Sequence, residues 1–243
     1  MSLLRRASQV PLPAGRRGCP GRVLTGASEP TVKFEGLQKP TDAAVESSGT
    51  VAEADALGVV NTEDPKYRTA AEAWYAENEG LVRKFNERRL SVRERAALFG
   101  SSFSLIENLP ENRDHPERAT NPETQPLRDL RLAVAEGLEF VTDMDMERVK
   151  IFTAVGSPID KQLGIDGFIR IDGPDVYQSP VFVSFDYTTN PHKDKTRADV
   201  LIRRLPDPDL AETDYIAAVD RAGAELVNEY RRKLLLRQRP QRR

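Results

Sequence analysis

Residues 157–195 read SPIDKQLGIDGFIRIDGPDVYQSPVFVSFDYTTNPHKDK, and two apolar runs in this stretch decide the fold. The runs cover residues 165–171 and 181–186, and their length and their Val, Ile and Phe content are typical of β-strands. Gly173, Pro174 and Asp175 lie between the runs and predict a turn or short loop. We therefore expect the two strands to pair as a hairpin.

Each predicted strand carries an aspartate where an interior strand favours an apolar residue. Asp166 lies near the start of the first run, and Asp186 ends the second. Because the end of one hairpin strand lies beside the start of the other, the two carboxylates should meet at one edge of the sheet. Buried carboxylates are costly unless they are paired or bind a cation, and two convergent carboxylates are the smallest cage for a hard divalent cation. A salt bridge to Arg170 or Arg197 is the alternative explanation.

Other side chains around the two aspartates extend this prediction. Side chains two apart on a strand share a face, so Thr188 should point the same way as Asp186, and Tyr187 the opposite way. A predicted helix upstream carries Glu136. Together these acids would hold Mg²⁺ or Mn²⁺ against a phosphodiester, where the metal activates water and neutralises developing charge. Asp160 would either orient substrate or a metal-bound water, or cap the turn before it.

The order of motifs points to a known family. A helix with a glutamate is followed by Ser157-Pro158-Ile159-Asp160, by Gly164-Ile165-Asp166-Gly167-Phe168-Ile169, and by a hydrophobic strand that ends in Asp186-Tyr187-Thr188. Across residues 127–205, this order resembles the core of the PD-(D/E)XK, or restriction-endonuclease-like, nuclease superfamily. The resemblance implies a metal-dependent nuclease that hydrolyses phosphodiester bonds in DNA.

The resemblance also implies a role for each residue of the predicted site. Asp166 would be the first metal aspartate, Asp186 the second acid and Glu136 the helix acid, with the backbone carbonyl of Tyr187 as a further metal ligand. One position departs from the family pattern, because Thr188 stands where the family has its lysine.

The missing lysine leaves two functions open. In the first, Lys193 or Lys195 takes over the role of the family's lysine in catalysis. In the second, the protein keeps the nuclease fold without the chemistry, and acts as a nucleic-acid-binding or structural component of a larger assembly. Sequence alone does not choose between an active and an inactive site, or between DNA and RNA.

Composition bounds the class of protein. The chain of 243 residues has 36 Lys and Arg against 38 Asp and Glu. Residues 1–28 carry five arginines and residues 231–243 seven basic residues, neither stretch with an acid, so the excess acid lies between them. Such basic ends either contact nucleic acid or are simply solvated. Cys19 is the single cysteine, which excludes an internal disulfide and a Cys–His zinc cluster and favours a reducing compartment.

Pattern along the chain predicts an α+β fold, with a small mixed sheet of about four strands flanked by helices. A disordered arm is expected over 1–60, and a cytoplasmic location unless its arginines form an organellar transit peptide. No apolar run is long enough for a membrane span. The resemblance to nucleases implies nucleic acid, and DNA in particular, as the partner, with a protein assembly or homo-oligomer possible. The remaining predicted segments are a helical lead-in at 61–109, a linker at 110–126, the nuclease-like core at 127–236 and a basic tail at 237–243.

Within these segments the spacing of apolar residues locates the elements. Helices should start at Asp64-Pro65 and at Ser91, the second ending near Gly100 before one more short helix at 103–106. One long helix is expected over residues 127–148. Strands are expected over 149–155 and 198–205, followed by a long C-terminal helix.

Overall fold

The computed structural model describes residues 52–175 and 177–238, so residues 1–51 of the predicted arm at 1–60 and residues 239–243 of the predicted tail at 237–243 lie outside the described residues. The strands in this part are β1 Val149–Thr153, β2 Gly167–Ile171, β3 Val181–Thr188 and β4 Val200–Arg203. The α-helices are α1 Glu53–Leu57, α2 Pro65–Asn86, α3 Val92–Glu107, α4 Pro110–Arg113, α5 Gln125–Gly137, α6 Asp143–Met146, α7 Pro158–Leu163 and α8 Glu212–Gln238.

The four strands form one mixed sheet in the order β1-β2-β3-β4. The pairs β1–β2 and β2–β3 are antiparallel, and β4 runs parallel to β3. The register pairs Gly167 with Phe185 and Ile171 with Val181, so the predicted hairpin forms. The predicted α+β fold, with its small mixed sheet flanked by helices, is confirmed.

Helices cover both faces of the sheet because both faces are apolar. On one face, side chains such as Ile169 and Phe185 share a buried cluster with residues of α5 and α8. On the other face, Phe152 and Phe168 share a second cluster with residues of α2, α3 and α7. The predicted helical lead-in at 61–109 therefore packs directly on the sheet.

Aromatic rings join α2 and α3 to the second face of the sheet. Phe85 of α2 and Phe99 of α3 meet edge to face at 5.9 Å between ring centroids, and Phe99 lies 6.0 Å from Phe103. Phe103 then contacts Phe168 of β2, with the centroids 4.4 Å apart. Asp64 caps α2 and Ser91 forms a capping box with Glu94 at the start of α3, as the sequence predicts.

The predicted helix over 127–148 is wrong beyond its first half. It ends at Gly137, Glu139 adopts a left-handed φ of 60°, and Thr142 caps the short helix α6. Arg131 donates hydrogen bonds to the carbonyls of Met146 and Val149, which holds the returning chain against α5. The break leaves Val141 and Met144 exposed, although their spacing continues the apolar stripe of α5.

Two other helix boundaries differ from the prediction. Helix α3 continues through Gly100, since Phe103 and Ile106 extend the buried face that Leu98 begins. The predicted linker at 110–126 contains α4 and a 3₁₀ turn, Pro116–Ala119. Residues 52–60 are part of the fold rather than of a disordered arm, because Ala56, Leu57 and Val60 are buried in the two clusters.

Basic residues of α8 attach this helix to the rest of the fold. Lys233 donates to the carbonyl of Phe182 and contacts Asp199, Arg237 donates to the carbonyls of Ser179 and Pro180, and Arg231 donates to the carbonyl of Gly137. These residues of the predicted basic end therefore serve a structural purpose. Among the described helices, none combines the length and apolar character that crossing a membrane requires.

Candidate active site

Asp166 and Asp186 meet at the edge of the sheet where β2 begins. The register that pairs Gly167 with Phe185 places the preceding residue, Asp166, across from Asp186. Both residues are buried, with 5% and 4% of their surface exposed. The two side chains project from the same face of the sheet as Phe168 and Phe182. Their convergence, which the hairpin pattern predicts, places two carboxyl groups against the second apolar cluster.

Backbone contacts hold Asp166 in place. Its carboxylate Oδ2 accepts a hydrogen bond of 2.7 Å from the Tyr187 N–H, and its own N–H donates to the Phe185 carbonyl at 3.0 Å. Gly167 is required next to it, because a Cβ there would lie 2.3 Å from the Phe185 ring and 2.7 Å from the Phe152 carbonyl oxygen. The sequence Asp166-Gly167 therefore combines an acid with the one residue that permits this close packing.

Asp160 approaches Asp166 from helix α7. Ser157 caps α7 by accepting hydrogen bonds from the backbone of Ile159 and Asp160. The Asp160 carboxylate accepts a 2.8 Å hydrogen bond from the Gly156 N–H, so it also stabilises the turn before the helix. The predicted capping role is present, and it leaves the carboxylate directed at the site.

Glu53 completes a group of three acids. Carboxylate oxygens of Glu53, Asp160 and Asp166 all lie within 4.8 Å of one another. Glu53 comes from α1, in a stretch that the sequence assigns to a disordered arm. The change from a Pro-, Gly- and Ser-rich composition to residues 52–57, which alternate alanine with acids and end in Leu57, is the one signal that marks it, since a helix of five residues is too short to show periodicity.

The acids of this group share unfavourable electrostatics. Burial, followed by the charge of Glu53, raises the pKa of Asp166 to about 8. Burial is also the main cause that raises the pKa of Asp160 and the pKa of Glu53, and the charge of Asp186 adds to both shifts. At neutral pH the group therefore retains a proton that a bound cation would displace.

Asp186 has a different surrounding from Asp166. Its Oδ1 lies 2.8 Å from the Lys193 ammonium, and its Oδ2 accepts a 2.9 Å hydrogen bond from the Thr196 hydroxyl. Thr188 lies on the same face and is also buried. The Lys193 side chain remains 37% exposed, so one end of the site is open to solvent.

The two arginines that sequence offered as structural partners lie elsewhere. Arg170 contacts Asp172 and Glu107, and Arg197 donates to Asn86. That alternative is wrong for these residues, and Lys193 is the cation that Asp186 contacts.

Glu136 does not join the group. It is exposed on α5, which packs on the face of the sheet opposite to the aspartates, so the structure does not bring Glu136 to them, and the helix glutamate that lies beside Asp166 is Glu53. Lys195 is exposed. Tyr187 turns its side chain into the first cluster and approaches Asp166 through its N–H, and its carbonyl as a metal ligand stays a prediction.

The donors in this group suit a hard cation. They are carboxylate oxygens, which Mg²⁺ and Mn²⁺ prefer, and two of the three acids are partly open to solvent. Lys193, whose ammonium lies 2.8 Å from Asp186, adds a positive charge beside these acids. No protein-family model, no curated protein and no solved structure matches this chain, so the interpretation of its function depends on this geometry and on the sequence motifs.

Proposed function

We propose that the protein is a metal-dependent nuclease that hydrolyses phosphodiester bonds in DNA. The observation that carries this proposal is a group of three acids from separate segments, Glu53, Asp160 and Asp166, whose carboxylate oxygens lie within 4.8 Å of one another. Asp186, paired with Lys193, lies across the hairpin from Asp166. Raised pKa values and a mixture of acids with one lysine are typical of sites built for chemistry.

Glu53, Asp160 and Asp166 would hold Mg²⁺ or Mn²⁺, with Asp186 next to them. When bound, the cation supplies Lewis-acid polarisation of the phosphate and a lower pKa for a coordinated water. The raised pKa of Asp166 supports this assignment, because several acids lie close together in a buried site. A bound cation would neutralise their negative charge, for which the folded chain supplies too little positive charge.

Lys193 is the residue we assign to the role of the family's lysine. Its ammonium lies 2.8 Å from Asp186. Thr188 stands at the position of the family's lysine, and its side chain carries no charge. The long, partly exposed side chain can move from Asp186 to a phosphate oxygen once a substrate is present. Its positive charge would then stabilise the negative charge that develops during hydrolysis.

Cleavage of single-stranded and duplex DNA in the presence of Mg²⁺ or Mn²⁺ tests the proposal. Asp166→Asn and Asp186→Asn should each lower the cleavage rate by at least about 100-fold, because each removes a charge from the metal or phosphate environment. Lys193→Met should do the same, whereas Lys66→Met, the matched control at an exposed lysine of α2, should stay within about threefold of the unaltered protein. Cleavage that survives Asp166→Ala and Asp186→Ala would overturn the assignment.

Thr188 favours the second candidate function, a nucleic-acid-binding protein without catalysis. In that case Lys193 stays paired with Asp186, and Mn²⁺ binds without any cleavage of DNA or RNA. Calorimetric titration of Mn²⁺ into the unaltered protein and the Asp166→Asn variant separates this outcome from a site that binds no metal.

A further inference from the structure

Two arginines next to the acid group stack on aromatic rings. The guanidinium carbon of Arg197 lies 5.3 Å from the centroid of the Phe85 ring, and that of Arg95 lies 5.0 Å from the centroid of the Phe99 ring. An Arg95 NH2 group also donates a 3.1 Å hydrogen bond to the Arg197 carbonyl. Both arginines are exposed, so their charges face solvent in fixed positions.

Arg197 connects three segments of the chain. Its NH1 group donates to the Asn86 side chain at 2.8 Å, at the end of α2, and to the Gln162 carbonyl at 3.5 Å, in α7. Within residues 52–175 and 177–238, these hydrogen bonds use NH1 alone. Nε and NH2 therefore keep donors for a ligand, on a guanidinium whose orientation the protein has already set.

Two of these segments lie beside the acids. Thr196, the neighbour of Arg197, donates to Asp186, and Gln162 lies two residues after Asp160. Two exposed lysines, Lys161 and Lys195, belong to these segments as well. Two exposed acids, Asp194 and Glu87, also belong to these segments, against the four exposed cations Arg95, Arg197, Lys161 and Lys195.

We propose that Arg95, Arg197, Lys161 and Lys195 form a phosphate track, which holds the backbone of the substrate strand beside the acid group. This inference rests on the proposed function for the identity of the ligand. Guanidinium groups bind phosphate oxygens through paired N–H donors, and arginines already stacked on rings lose little freedom when they do so. Because these cations contact phosphate rather than the edges of bases, the track holds strands without regard to sequence.

The test measures binding, so that it does not depend on cleavage. The full-length chain with Asp166→Asn is titrated into a fluorescent 20-nucleotide single strand in Mg²⁺, at several salt concentrations. Arg197→Gln and Arg95→Gln should each weaken binding by about 5- to 30-fold, and each should lower the slope of log affinity against log salt by about 0.7. Arg221→Gln, which removes an exposed charge from α8, is the matched control and should leave both values unchanged.

Lys195→Gln tests the track with a variant that should fold normally, because this exposed side chain can be replaced without disturbing the packing. It should weaken binding about threefold or more. Equal weakening by Arg221→Gln, or none by the arginine and Lys195 variants, would overturn the track. So would displacement of the strand by polyglutamate as effectively as by unlabelled DNA, since the surface would then accept any polyanion.

The two proposals fail separately. Track-dependent binding without cleavage in the unaltered chain contradicts the nuclease and keeps the track. Metal-dependent cleavage by a chain whose arginine variants bind normally contradicts the track and keeps the nuclease.

Discussion

An aspartate lies at each end of strand β2, and the surroundings of the two aspartates shift their pKa values in opposite directions. Asp172 follows the strand and contacts Lys150 at 2.9 Å and Arg170 at 2.7 Å. Burial alone would raise the pKa of Asp172, but the hydrogen bonds from Lys150 and Arg170 outweigh it and lower the pKa. Asp166 precedes the strand, and burial together with neighbouring acids raises its pKa to about 8.

The difference shows which end is complete without a ligand. At Asp172 the chain supplies the counter-charges, and Arg170 also contacts Glu107, so this end contributes to stability by itself. At Asp166 the chain adds further acids and a backbone N–H, which leaves a buried excess of negative charge. Such an arrangement costs stability, and we expect a bound cation to offset that cost.

The largest expected effect is the loss of stability when the glycine at the Asp166 end of β2 is replaced, compared with the glycine at the Asp172 end. Gly167→Ala should lower the free energy of unfolding by about 3 kcal/mol, because its Cβ would overlap the buried Phe185 ring and the Phe152 backbone. Gly173→Ala is the comparison at the other end: its Cβ would lie 2.4 Å from the Gln178 Cβ, so an exposed loop must shift, and because this loop is less constrained than the buried Phe185 and Phe152 the loss should be smaller, about 1 to 2 kcal/mol. Urea unfolding measures both, and equal losses would contradict this account of the Asp166 end.

Metal binding should stabilise the Asp166 end alone. At a Mn²⁺ concentration 100 times its Kd, the free energy of unfolding should rise by about 2.7 kcal/mol. Asp166→Asn should abolish this rise in thermal unfolding, and Asp172→Asn should retain it. A rise that survives Asp166→Asn would mean that Mn²⁺ binds at another site.

A further expected effect is a dependence of stability on pH without metal, gradual over each pH unit. Because the pKa of Asp166 is higher in the folded protein than in the unfolded chain, the folded state binds the extra proton, and stability falls as pH rises towards about 8. The slope contributed by this group between pH 6 and 8 is at most about 1.4 kcal/mol per pH unit.

Asp166→Asn should flatten the slope and make the protein more stable at pH 8. Asp172 has a lowered pKa, so its contribution is lost only in acid and Asp172→Asn should leave the slope at pH 6 to 8 unchanged. Urea unfolding at each pH measures these differences, and a slope that Asp166→Asn does not alter would sink the assigned titration.

Local pattern was sufficient wherever a residue's neighbours in the chain determine its conformation. The length and the Val, Ile and Phe content of residues 165–171 and 181–186 predict both strands, and the alternation of side chains along any strand then predicts the faces of Asp186, Thr188 and Tyr187. Asp64 and Ser91 predict the starts of α2 and α3, because a cap acts on the backbone two or three residues away. Local pattern misplaced the end of the helix before β1, where Arg131 holds carbonyls from a later segment.

By itself, the sequence determined the α+β class, the hairpin and the meeting of Asp166 with Asp186. The reason is that the end of one hairpin strand lies beside the start of the other. Only the tertiary structure decided that Glu53 rather than Glu136 joins the aspartates, that Lys193 contacts Asp186, and that Arg197 stacks on Phe85. These contacts join segments far apart in the chain. The local sequence around a charged residue does not indicate which distant residue it will contact. Packing of the helices on the two faces of the sheet makes that choice.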